Sequence, residues 1–118
     1  MIIKTFTEIL AWQKAHQLTL EIYKITSQFP KTEQFGLISQ MRRCAVSIPS
    51  NIAEGFKRKS LNDSLHFYNI AEGSLEELKY QLLLAKDLDY LNKEVYGELS
   101  ELSDEVGKLL NGWKKSQR

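Results

Sequence analysis

At 118 residues, 42% apolar and 26% charged, the chain fits one globular domain with a continuous core and is too hydrophobic for wholesale disorder. Its net charge of +1 gives no global bias toward nucleic acid or anionic membrane. No apolar run approaches the roughly 20 residues of a membrane span, the start Met1-Ile2-Ile3-Lys4-Thr5 lacks the features of a secretory signal, and the single cysteine, Cys44, excludes an internal disulfide and fits a reducing, cytoplasmic compartment.

Apolar residues recur at spacings of three and four, the signature of helices with one buried face. The first stripe is Ala11, Ala15, Leu18, Ile22, Ile25 and Phe29. Thr7 is its candidate N-cap, with Glu8 in the first turn, where the helix dipole favours an anion. Pro30 ends the element, because the residue before a proline is pushed out of helical geometry. Thr32, followed by Glu33, is a candidate cap for a second helix with the stripe Leu37, Met41, Cys44, Ala45, Ile48 and Ile52. Pro49 falls inside that stripe and lacks the N–H that would bond the Ala45 carbonyl. One helix kinked at Pro49 is expected rather than two, since the stripe resumes in phase beyond it. Ser60-Leu61-Asn62-Asp63 resembles a capping box and opens the longest stripe, which runs from Leu61 through Tyr68, Leu75 and Leu82 to Ala85. Asp89-Tyr90-Leu91-Asn92 breaks it, and Asn92 is placed to cap a fourth helix carrying Val95, Leu99, Leu102, Val106, Leu109 and Trp113. The polar tail from Lys114 to Arg118 is expected to fray.

These helices, at about 7–28, 33–56, 61–88 and 93–115, make a single domain over 1–118. Their short connections make successive helices antiparallel neighbours. The fold class is therefore all-α, an antiparallel up-down-up-down four-helix bundle. Its stripes are wider than a lone bundle needs, with Trp12, Leu20, Tyr23, Ile70, Leu83 and Leu110 among the residues standing beside the core series. Apolar surplus of that kind marks an interface, and a homo-oligomer is the common solution; a thicker monomer core is the alternative. Charge is unevenly divided. Residues 1–59 hold nine Lys/Arg and four Asp/Glu, a balance of +5, whereas residues 60–118 hold seven and eleven, a balance of −4. Such polarity steers self-assembly or a charged partner, unless the two halves neutralise one another.

Polar residues also line up. Arg43, Ser47, Asn51 and Glu54 follow one another beside the apolar stripe of the second helix. In an antiparallel hairpin turning near 57–60 they face the third helix, where Ser47 meets small residues and Arg43 comes opposite Glu76 or Glu77. The expected result is an interhelical network that fixes register, including a charge-assisted Arg–Glu bond. Its rival is a binding site for a phosphate or an acidic partner. The best candidates for nucleic-acid or partner contact are Lys57, Arg58 and Lys59 at the turn, with Arg42 and Arg43 upstream, because clustered cations bind phosphates through charge and counterion release.

Catalysis has little to stand on. A di-iron bundle needs Glu-x-x-His on two helices; His66 follows Asp63 at that spacing, but His16 has no acidic residue three positions before it. Cys44 lies on the apolar stripe, where a thiol is inert. Arg58 and His66 are too far apart for the Arg–His motif of helical ribonucleases. There is no phosphate-binding glycine loop and no nucleophile elbow. The chain is read as a non-enzyme with no cofactor, metal or small-molecule substrate.

The run Gln40-Met41-Arg42-Arg43-Cys44-Ala45-Val46-Ser47-Ile48-Pro49-Ser50-Asn51-Ile52-Ala53-Glu54-Gly55 resembles the signature of a bacterial four-helix bundle family. That family is named for open reading frames in intervening sequences of 23S ribosomal RNA genes. Trp12-Gln13-Lys14-Ala15, Phe29-Pro30, Gly36-Leu37 and Ala71-Glu72-Gly73-Ser74-Leu75-Glu76-Glu77-Leu78 support the likeness. It runs from about residue 8 to residue 91, the fourth helix being similar only in amphipathic character. Cys44 departs from the small residue expected at its position. The resemblance implies an up-down bundle assembling into a ring, with a pentamer the expected state. Relatives include the accessory protein of diversity-generating retroelements, a basic pentameric barrel that binds its reverse transcriptase and nucleic acid. The function expected is thus a non-enzymatic homo-oligomeric binding module whose basic N-terminal half contacts RNA, DNA or a nucleic-acid enzyme. The alternative is a structural or protein-interaction module that binds no nucleic acid.

Overall fold

Four amphipathic stripes become four helices in the computed structural model, which describes residues 2–117: α1 (Leu10–Thr26), α2 (Leu37–Lys57), α3 (Leu61–Asp87) and α4 (Lys93–Ser116). The bundle measures 43 × 26 × 19 Å. Helix α1 packs on α2 and α4, and α3 packs on the same two, while the backbones of the diagonal pairs stay apart. The four helices therefore stand at the corners of a square. Across α1 and α2, Thr19 reaches Ala45 while Tyr23 and Thr26 meet Arg42. Across α2 and α3, Cys44 meets Ser74 and Gly55 meets Ser64. Across α3 and α4, Lys79 pairs with Asp104 and Glu72 with Lys114. In every pair the numbers rise on one helix as they fall on the other, so neighbours run in opposite directions.

Two helix starts differ from the sequence expectation. Thr7 caps no α-helix. The operative pair is Thr5, two residues earlier, and Glu8, where Glu8 Oε2 accepts from the backbone N–H groups of Lys4 and Thr5 at 2.7 and 2.8 Å. This closes a 3₁₀ turn over Phe6–Glu8, after which Ile9 is extended and α1 begins at Leu10. Thr32 likewise lies in a 3₁₀ turn, Lys31–Glu33, and Gly36 precedes the start of α2. Glu33 supplies the cap, its Oε1 accepting from the Leu37 N–H at 3.1 Å. The expected caps of α3 and α4 form: Ser60 Oγ accepts from Asp63 N–H at 3.1 Å, and Asn92 Oδ1 from Val95 N–H at 2.8 Å. At the end of α3 the N–H of Tyr90 returns to the Ala85 carbonyl and that of Asp89 to Lys86, both at 2.9 Å. Asp89 takes the left-handed conformation, φ 65°, that such a helix stop requires. Helix α4 continues through Ser116, so the expected fraying does not begin at Lys114; Arg118 lies outside the described residues.

Helix α2 passes unbroken through the buried Pro49. The Ala45 carbonyl, deprived of its donor by the proline ring, accepts instead from Thr19 Oγ1 of α1 at 3.0 Å, in a buried position. The same hydroxyl also lies 2.9 Å from the Ala15 carbonyl. A buried carbonyl left without a partner costs about 1–3 kcal/mol, so Thr19, whose single proton the Ala15 and Ala45 carbonyls share, offsets part of the local penalty of a mid-helix proline. Around this point the core closes with Leu18, Ile22, Met41, Ile48, Ile52 and Leu78, all fully buried. Each contributes about 1.5–3 kcal/mol by leaving water. At the α2–α3 turn the Tyr68 ring lies directly against Gly55, where a Cβ atom would collide with it. Only glycine lets the helices approach this closely.

Candidate functional site

The α2–α3 seam carries the densest polar arrangement. Ser47 Oγ and Ser74 Oγ lie 2.8 Å apart, Asn51 Nδ2 donates to the Ser47 carbonyl at 2.7 Å and to its hydroxyl at 3.0 Å, and Cys44 Sγ donates to the Ser74 carbonyl at 2.9 Å. Ser47 therefore meets Ser74 across the two helices, and Asn51 braces Ser47 from within α2. The remaining members of the expected network do not join them. Glu54 pairs with Arg58, the residue that follows α2, at 2.9 Å, Glu76 with Lys79 at 3.2 Å, and Glu77 accepts from Gln81 at 3.2 Å. Arg43 is exposed and shares a groove of about 440 Å³ with Glu77, but no bond joins them. The hairpin register puts these two residues at one height; their outward rotation keeps them apart.

The Cys44 thiol is buried beneath this groove. Burial pushes it up most, the Glu77 carboxylate adds to the effect, and the thiol titrates at about 12. It stays protonated at neutral pH and is no nucleophile there. The two histidines are engaged by aromatic neighbours: His16 stacks on Trp12 at 5.0 Å, and His66 meets the edge of Phe67 at 5.5 Å. Among the described residues no group of three or more His, Cys, Asp or Glu side chains is arranged to hold a metal ion.

The five candidate cations fall into two separate groups rather than one patch. Arg42 lies near the start of α2 and fastens it to the end of α1, its Nε donating to Thr26 Oγ1 at 2.9 Å and its guanidinium covering the Tyr23 ring at 4.6 Å. Arg43 is beside it. Lys57, Arg58 and Lys59 sit at the far end of the same helix, about 22 Å away along its axis at 1.5 Å per residue. All three are exposed, and Arg58 is held by Glu54 and by the face of Phe67 at 5.1 Å. One residue escaped the sequence reading altogether. Phe35, in the short connection before α2, is 92% exposed beside Arg43. Its only signal was an aromatic side chain next to Gly36 with no place in either flanking stripe.

No helix of the described residues is long and apolar enough to cross a membrane. A comparison with curated proteins found no match. Among solved structures, the chain is similar to a protein of unknown function from the S23 ribosomal protein family of Bacteroides thetaiotaomicron. The two are 28% identical, with a TM-score of 0.80 over 90% of this chain and 99% of that one. The profile of the 23S rRNA-intervening sequence proteins matches residues 7–112, which carries the likeness through most of α4, beyond the residue 91 at which the motifs alone stop. With the signature run on α2 set in a bundle of the same fold, this chain belongs to the 23S rRNA-intervening sequence protein family.

Proposed function

We propose that this protein is a non-enzymatic binding module that works as a homo-oligomer, a ring of five copies being the state its family resemblance implies. One observation carries the reading. The folded chain leaves large apolar side chains in water on several faces, including Phe35, Leu10, Tyr80 and Leu20. Two of them stand in clusters, Phe35 with Tyr23 and Tyr80 with Leu83; clustered apolar exposure marks an interaction surface, and a second copy is the commonest occupant. The inert Cys44 thiol and the engaged histidines support a binding role over a catalytic one. Light scattering after gel filtration, checked by native mass spectrometry, tests the proposal. A discrete multiple of the 13.7 kDa chain is expected, and a monomer at high concentration would overturn it.

A second activity is contact with RNA, DNA or a nucleic-acid enzyme, at 23S ribosomal RNA if the family name describes a function. The observation that favours it is the exposed trio Lys57, Arg58 and Lys59 at the α2–α3 turn. Fluorescence anisotropy with generic RNA and DNA should detect binding that weakens steeply with salt and disappears when the three are neutralised. Absence of binding at low salt leaves a module that contacts protein alone.

A further inference from the structure

Two hollows with exposed aromatic rims lie at one height on opposite sides of the bundle. The first, of about 400 Å³, opens where α1 ends and α2 begins, and is lined by Tyr23, Phe35, Ile38, Arg42 and Arg43 among others. Phe35 projects from its rim. The second, of about 360 Å³, is a furrow between α3 and α4 lined by Glu76, Lys79, Tyr80, Leu82, Leu83 and Tyr96 among others, and Tyr80 is 60% exposed above it.

Hydrogen bonds and ion pairs fix their relative level. Arg42 reaches the Tyr23 carbonyl at 3.3 Å, so the end of α1 is level with residue 42. Cys44 meets Ser74 across the antiparallel α2–α3 seam, which puts residues 38–42 level with 76–80. Lys79 pairs with Asp104 at 3.3 Å, and Lys86 covers the Tyr96 ring at 4.7 Å, which places Tyr80 and Leu83 level with about residues 100–103 of α4. The α1–α2 and α3–α4 edges are opposite sides of the square.

The two sides are also of opposite charge. The α1–α2 half carries +5, of which the trio Lys57, Arg58 and Lys59 at the far end supplies +3, and the other half −4, and internal pairing does not consume the difference. Among the described residues a single ion pair, Lys14–Glu105 at 3.5 Å, bridges the halves; the pairs of Lys79, Lys86, Lys114 and Arg58 all close within one half.

We infer that the α1–α2 hollow of one copy, with Phe35 as the projecting group, docks on the α3–α4 furrow around Tyr80 of a second copy. This rests on the self-assembly proposed above and names its interface. A two-fold contact between identical faces would set Arg42 and Arg43 against their own copies, which like-charge repulsion opposes. The head-to-tail contact sets the basic half against the acidic half and the aromatic knob in an apolar furrow whose one carboxylate, Glu76, is already paired with Lys79. Donor and acceptor are different faces, so the contact is head-to-tail and repeats from copy to copy.

Two exposed positions give the test, read by light scattering on the wild type, Phe35→Asp, Tyr80→Asp and a mixture of the two variants. The wild type should assemble, and each variant alone should be monomeric with its helical circular-dichroism signal retained. The mixture should form a one-to-one heterodimer that grows no further, because it contains one intact knob and one intact furrow. If the wild type assembles and either variant still does, or if the mixture stays monomeric, this interface is wrong while self-assembly stands. A monomeric wild type overturns self-assembly itself. Phe35→Ser and Tyr80→Ser answer the same question if an aspartate variant loses its helical signal.

Discussion

Pro49 and Thr19 form a donor–acceptor exchange between helices: the proline removes the N–H that would serve Ala45, and a hydroxyl from α1 takes its place. Thr19→Val is isosteric and removes only that donor. It should cost about 1–3 kcal/mol. In a Pro49→Ala background the chain again has an N–H at position 49, so the same Thr19→Val change should cost about 1 kcal/mol less. Urea denaturation of the four proteins of this cycle measures the coupling, and strict additivity would show that Thr19 does not act through the Ala45 carbonyl. Cys44 makes a separate prediction. Its ordinary value is 9.0, and burial first, then the Glu77 carboxylate, raises it to about 12 in the folded protein. Between those limits the folded chain keeps a proton that the unfolded chain loses, so this contribution to stability is complete below pH 9 and is lost as pH rises toward 12. Cys44→Ala should therefore flatten the alkaline decline, a difference visible when urea midpoints of variant and wild type are compared at about pH 8 and about pH 10.

At the scale of elements, the apolar stripes are the legible part of the sequence. A spacing of three and four has one structural meaning over twenty residues, and Ser60 and Asn92 are polar caps followed directly by such runs. The starts of α1 and α2 were less legible, because each lies just beyond a 3₁₀ turn whose own capping residues, Thr5 with Glu8 and then Glu33, resemble α-helix signals one turn early. The polar seam was half legible for a related reason. Antiparallel register gives the height at which Arg43 and Glu77 sit but not the rotation that turns them outward, whereas Ser47 and Ser74 point inward and bond. Helix α3 also contains a feature that its fold does not need. Gly73 lies mid-helix and exposed, and a Cβ there would meet nothing within 4 Å. Glycine in such a position costs roughly 0.5–1 kcal/mol relative to alanine. Gly73→Ala should raise stability by about that amount in thermal melts analysed at fixed protein concentration. A loss of stability would show that the backbone at this point is approached by something outside the monomer.

At the scale of the whole molecule, charge and apolar surface play different parts in the interface inferred between copies. The opposed halves attract over distance, so they act while two copies approach, and salt screens that attraction as the screening length falls from about 10 Å at 0.1 M to about 3 Å at 1 M. Phe35 and Tyr80 act only at contact, where apolar burial holds the copies together irrespective of such screening. The two contributions can be separated in time. Arg43→Gln removes an exposed charge beside the knob without touching the furrow, and should slow association while leaving dissociation nearly unchanged, with a weaker dependence on salt than the wild type. Tyr80→Ala removes contact area but no charge, and should accelerate dissociation at an almost unaltered association rate. Stopped-flow dilution and mixing of fluorescently labelled protein resolves both rates. If Arg43→Gln instead sped dissociation as strongly as Tyr80→Ala, the arginine would be a buried anchor of the contact, and the polarity of the two halves would be incidental to how the copies find one another.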